Sequence, residues 1–202
     1  MNRAVILYIG VVATVLLSFG GLATIPQYQL GGLQPVVGEN GQQYPVPPTG
    51  LVAEGRIAYK ADGCLYCHSQ QVRPEGFGAD IERGWGTRRT VARDYIFNAP
   101  PLMGTMRTGP DLANIGVRQP STNWHLLHLY NPQITSPGSN MPPFPFLFDR
   151  HPVEVQVPYD ALDFPPQWQE PGTYVVPSGR GKALVAYLLS LRASNPVPEV
   201  PQ

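Results

Sequence analysis

Charge is scarce in this sequence. Asp, Glu, Lys and Arg together supply 14% of the 202 residues, and the formal net charge is +0. No basic field exists to meet a nucleic-acid backbone, so nucleic-acid binding is excluded as a function class. Cysteine is scarcer: Cys64 and Cys67 are the only two, and they share one short motif. If a cofactor takes both, no disulfide framework can hold the chain. No acid–base pair or activated nucleophile stands out, and no internal repeat is visible. Proline and glycine are instead abundant, at 24 and 21 residues. Long irregular stretches are expected, while 43% hydrophobic residues argue against a disordered chain.

The longest uncharged apolar run lies near the N-terminus. Val5 to Thr24 reads VILYIGVVATVLLSFGGLAT. A helix of that length spans roughly 30 Å, about the hydrocarbon core of a bilayer. The apolar core of a cleavable signal is shorter, so the run is read as a retained anchor over residues 1–24. Arg3 precedes the span and the next basic residue is Arg56. The positive-inside rule then places the N-terminus in the cytoplasm and the rest outside, in contact with a lipid bilayer. Gly10, Ala13 and Gly20 fall on one helical stripe with Gly21 beside it. Such a stripe suits close packing against another membrane helix, although glycine is common in membrane helices generally.

Residues 25–50 are rich in Pro, Gly and Gln and nearly uncharged, as expected of a linker lying along a partner or the membrane. Thr49 is placed to cap a helix from about Leu51, with Leu51, Gly55 and Tyr59 on one face, running into Cys64. Ser121 or Thr122 can cap a second helix, NWHLLHLY, which Asn131-Pro132 stops. Met141 to Gly179 carries nine prolines and is expected to form extended loops. Lys182 to Arg192, KALVAYLLSLR, has helical periodicity, and residues 196–202 form a tail.

The strongest motif is Cys64-Leu65-Tyr66-Cys67-His68, a CxxCH. Two thiols at this spacing can each add to one vinyl group of the same haem, and the adjacent His can then reach the iron. Zinc would want further Cys or His ligands nearby, and the next histidine is His125. A thioredoxin-like dithiol would want a βαβ pattern, which is missing. One covalent haem c is therefore the reading of the motif, with His68 as an axial ligand. A low-spin carrier needs a second axial ligand, and Met/His ligation raises the potential. Met103, Met106, Met141, His125, His128 and His151 are available. Met141 is preferred because Ser139-Asn140-Met141-Pro142-Pro143 stiffens the loop that would present its sulfur. His125 and His128 share a helix face and could hold a second metal, but structural histidines in such places are commoner.

Three segments resemble a class I cytochrome c. Gly55 and Tyr59 precede CxxCH as that family's small and aromatic pair do, and Leu184-Val185-Ala186-Tyr187-Leu188 is similar to its C-terminal helix. Gly109-Pro110-Asp111-Leu112 with Arg118 downstream resembles its GPxL segment. The resemblance implies a mainly α fold, with residues 51–195 as the cytochrome c domain carrying long Pro-rich loops. It implies that the Pro110 carbonyl accepts the His68 ring N–H and that Arg118 pairs with a haem propionate. It also implies that Gly55, Tyr59, Leu184 and Tyr187 meet at one helix crossing.

A closer resemblance covers residues 63–147. GCLYCHSQQVRPE, RTGPDLANIG, NWHLLHLYNP and SNMPPFPFL are similar to the membrane-anchored mono-haem subunit II of cbb3-type cytochrome c oxidases. The Pro-rich stretch from Asp149 to Val176 is longer than expected there. The resemblance implies an electron-transfer subunit with no catalysis of its own. Its partners would be a membrane-embedded haem–copper oxidase catalytic subunit and another cytochrome c or redox donor. Its place would be the bacterial inner membrane with the haem domain on the periplasmic face. The alternatives are the cytochrome subunit of a nitric oxide reductase and, from another class, an open-site haem enzyme or gas sensor.

Overall fold

The computed structural model describes residues 2–38, 41–154 and 156–200. The apolar run forms helix α1 (Arg3–Phe19), whose first turn is capped by the Asn2 side chain accepting the Ala4 N–H. The helix then widens into one π turn over Gly20–Thr24 and continues as α2 (Ile25–Leu30). Pro26 explains the widening, since it has no N–H for the carbonyl four residues back and its ring crowds that carbonyl. The three pieces make one 28-residue rod, Arg3–Leu30, the one helix among the described residues long and apolar enough to cross a membrane. The rod continues six residues beyond Thr24, where the linker was expected to begin. Its side chains are exposed, and a Cβ added at Gly10, Gly20 or Gly21 would meet nothing within 4 Å.

The segment after the rod, expected to lie along a partner or the membrane, also packs against its own domain. Strand β1 (Val36–Val37) pairs antiparallel with β2 (Gln43–Tyr44), and Pro45 is buried. The Tyr44 hydroxyl donates to Asp94 Oδ1 at 2.7 Å, and Asp94 holds a buried ion pair with Arg88 at 2.7 Å. Arg88 Nε in turn donates to the Asn195 carbonyl at 2.7 Å. Arg93 reaches both the Gln34 carbonyl and, at 2.7 Å, the Glu199 carboxylate. One patch of arginine and aspartate thus pins the linker and the C-terminal tail together. A cleft of about 910 Å³ remains between this strap, Tyr187, Leu191 and the tail.

The domain itself is mainly helical. Helix α3 (Gly50–Ala61) begins after Thr49, which takes the extended N-cap conformation but makes no side-chain capping bond. Short α4 (Ile115–Arg118) precedes α5 (Thr122–Tyr130), which Ser121 caps through the Trp124 N–H at 3.2 Å. The Pro-rich stretch contains an antiparallel pair, β3 (Phe148–Pro152) with β4 (Thr173–Pro177), where extended loops alone were expected. Its prolines Pro152 and Pro177 sit at strand ends, where a missing N–H costs the ladder least. Helix α6 (Gly179–Ser190) starts three residues before Lys182, because Ser178 caps it through the Gly181 N–H.

Helices α3 and α6 cross at Gly55. An ideal Cβ there would stand 1.9 Å from the Ala183 carbonyl oxygen and 2.7 Å from Tyr187 Cβ. Only glycine lets the backbones approach so closely. One turn on, Tyr59 and Tyr187 pack with ring centroids 5.4 Å apart, and Tyr59 and Leu184 are among the largest fully buried side chains. The crossing implied by the sequence is present. Around it, Leu112, Ile115, Leu126, Leu127, Leu147 and Leu188 complete one apolar cluster.

Candidate cofactor site

CxxCH follows α3 directly. Gly63 takes φ +75°, a left-handed conformation that turns the chain out of the helix, and Cys64–Tyr66 form one 3-10 turn. Both cysteines are free thiols. Burial pushes the Cys64 thiol up to about 12, ahead of the effect of nearby Asp62. It is therefore held as a neutral thiol, unlike the low-pKa thiolate of a redox dithiol.

The next residue is fixed from behind. His68 Nδ1 lies 2.8 Å from the Pro110 carbonyl oxygen. A carbonyl only accepts, so Nδ1 carries the proton and Nε2 keeps its lone pair. Burial holds the His68 pKa below its usual value, which favours that neutral, ligating form. The neighbouring loop fits tightly: Gly109 N–H donates to the Cys67 carbonyl at 2.9 Å, and a Cβ on Gly109 would come within 2.3 Å of His68 Cε1. Gly104, at φ +79°, backs onto the His68 carbonyl in the same way.

Arg118 closes one side. Its Nη2 donates to the Asp111 carbonyl, while its Nε is buried without a partner among the described residues. Burial draws the guanidinium below its ordinary value. A buried cationic N–H lacking an acceptor suits an anionic oxygen such as a propionate.

Met141 borders the apolar cluster that Cys64 and Leu65 also border, and its N–H donates to Ser139 Oγ at 3.2 Å. Among the other ligand candidates, Met106 is 59% exposed and Met103 is half-buried, with its carbonyl accepting the Gln70 N–H. His151 stacks on Tyr174 across the β3–β4 pair. His125 Nε2 is taken by the Gln119 carbonyl at 2.8 Å, and His128 stacks on Trp124 with Nδ1 2.6 Å from Thr135 Oγ1. No group of three or more potential metal-binding His, Cys, Asp or Glu side chains exists among the described residues. The 910 Å³ cleft includes none of Cys64, Cys67 and His68.

His128 senses its surroundings strongly. Burial, and then the neighbouring His68 and His125, lower its pKa to about 4. The unfolded chain binds a proton near 6.5, whereas the folded one resists until about 4, so stability is full above 6.5 and falls as pH drops through that window. The loss from this one group is about 3 kcal/mol at most. Denaturant unfolding between pH 7 and 4 should show the decline, and His128→Gln should flatten part of it. An unchanged slope in that variant would remove His128 from the account.

The comparison with protein-family models supplies the decision: residues 2–163 match the model described as cytochrome C oxidase, mono-heme subunit/FixO. The chain belongs to this FixO family of mono-haem oxidase subunits. No curated protein matches it. FixO membership bears out the resemblance to the cbb3-type subunit II, the mainly α fold with an N-terminal apolar helix, and a cytochrome c, haem and electron-transport role. The single apolar rod fits the anchor of a membrane oxidase subunit. The FixO match ends before β4 and α6, although α6 supplies half of the Gly55 crossing. Sequence reading passed over Asp111, Ser69 and Arg107 behind His68. The signal was present in Gly-Pro-Asp, whose aspartate is fully buried.

Proposed function

We propose that this chain carries one covalent haem c and relays single electrons through it to the haem–copper catalytic subunit of the oxidase. Cys64 and Cys67 form the two thioether links, His68 Nε2 and the Met141 sulfur are the axial ligands, and Arg118 Nε meets a propionate. The observation that carries this reading is the His68–Pro110 bond at 2.8 Å, which fixes the tautomer of a histidine set directly after two free thiols. A haem held there supplies reversible one-electron exchange at iron. The chain's own residues attach it, orient its ligand and exclude water. Oxygen reduction is assigned to the haem–copper partner subunit.

The rod Arg3–Leu30 anchors the chain in the bacterial inner membrane, with the domain on the periplasmic side. The unpartnered glycine stripe faces the catalytic subunit, and another cytochrome c or redox donor delivers electrons from outside. The Tyr44–Asp94–Arg88 clamp ties the segment that follows the rod to the domain. The test is the covalent haem content of the full chain, expressed in cells able to attach haem c. Mass spectrometry should find one haem per chain, lost in Cys64→Ser/Cys67→Ser. A wild-type chain without covalent haem would refute the proposal.

A further inference from the structure

We propose that Asp111 is a positioning residue for His68, which through its buried carboxylate and the counter-charge of Arg107 sets the reduction potential of the cofactor that His68 holds. The inference rests on the haem reading above. It concerns residues that neither touch the iron nor belong to CxxCH.

Two loops meet behind His68 and are joined rung by rung. The Cys67 carbonyl accepts the Gly109 N–H at 2.9 Å, His68 Nδ1 donates to the Pro110 carbonyl at 2.8 Å, and the Ser69 carbonyl accepts the Leu112 N–H at 2.8 Å. Asp111 sits at the centre of this seam and is 0% exposed. Its Oδ2 accepts from Ser69 Oγ at 2.6 Å and from the Gln71 N–H at 2.7 Å, and its Oδ1 accepts from the Ala113 N–H at 2.8 Å. Two of these donors, Ser69 Oγ and the Gln71 N–H, tie the segment leaving His68 to the loop carrying Pro110, while the Ala113 N–H folds that loop around the carboxylate. The length of the His68–Pro110 bond therefore depends on Asp111.

The charges matter as well as the bonds. Arg107 donates through Nε to Ser69 Oγ at 2.9 Å, lies 3.7 Å from Asp111, and also bonds the Asp80 carboxylate and the Gln71 carbonyl. Asp80 and Asp111 are 1% and 0% exposed. Both buried carboxylates contact the Arg107 guanidinium, and Arg118 donates to the Asp111 backbone carbonyl beside them. Within this set the Asp111 charge favours the more positive state of whatever His68 ligates, which for a haem is the oxidised state, and the Arg107 charge opposes it.

The sign provides the test. Asp111→Asn removes a negative charge with little change of shape and should raise the midpoint potential of the full-length haem protein. Arg107→Gln removes the counter-charge and should lower it, while Arg107→Lys should stay near the wild-type value. The readout is potentiometric titration of the visible spectrum, with thermal melting alongside. Simple loosening of the seam would shift Asp111→Asn and Arg107→Gln in the same direction, and that result, or no shift in either, overturns the proposal. If Asp111→Asn does not accumulate, the Arg107→Gln and Arg107→Lys pair decides it: equal potentials overturn the proposal and a lower value for Gln supports it. Failure of the haem reading is separate, because the wild-type chain would then hold no haem to titrate.

Discussion

Gly55→Val is expected to destabilise the domain by about 3 kcal/mol or more, at or beyond the upper end of the usual overpacking cost. The reason is geometric. The Cβ would fall 1.9 Å from the Ala183 backbone oxygen and 2.6 Å from its carbonyl carbon, so no rotamer change relieves the clash and the two helices must separate. Separation would also break the Tyr59–Tyr187 contact and expose part of the cluster beside Cys64. A loss of this size is a large share of the ~5–15 kcal/mol that holds an ordinary domain together. Gly10→Val is the control, because nothing lies within 4 Å of that position. Denaturant unfolding of the full chain in detergent, followed by tryptophan fluorescence, should show an early transition for Gly55→Val and an unchanged one for Gly10→Val. Equal midpoints would mean that α3 and α6 do not meet as described.

Met141→Ala is expected to leave haem attachment intact while changing the iron's ligation. The proposed thioether links are to Cys64 and Cys67, which the substitution does not touch. The sixth ligand should be lost or replaced, giving a high-spin or re-liganded spectrum and no near-infrared sulfur-to-iron band in the oxidised protein. Axial ligands tune haem potentials over roughly 0.8 V, so a fall on the order of 100 mV or more is expected. Met103→Ala and Met106→Ala should leave both spectrum and potential as they were. If either of those produced the change instead, Met141 would not be the ligand.

Local chemistry made much of this protein legible in its sequence. CxxCH declares its spacing in five residues, the anchor declares itself by twenty uncharged positions, and the resemblance to class I cytochromes c carried the helix crossing at Gly55 and Tyr59. The parts that escaped depend on long-range pairing. β3 and β4 are about twenty residues apart and rich in proline, so no alternating pattern marked them, yet their prolines fall at the ends. The linker's low charge suggested a partner or the membrane but did not show its attachment to its own domain through Tyr44 and a buried Asp94–Arg88 pair. Asp111 was visible as a letter in Gly-Pro-Asp, but only the fold reveals that three donors converge on it.

The central claim is that electrons pass through this chain to the catalytic subunit, and rapid kinetics on the intact membrane complex test it most directly. The complex would be reduced without oxygen and mixed with oxygen while the absorbance of this chain's haem c is followed. The account predicts oxidation of that haem at least as fast as steady-state turnover, with Met141→Ala slowing both together. A haem c in this chain that stayed reduced while the complex consumed oxygen at its full rate would contradict the account.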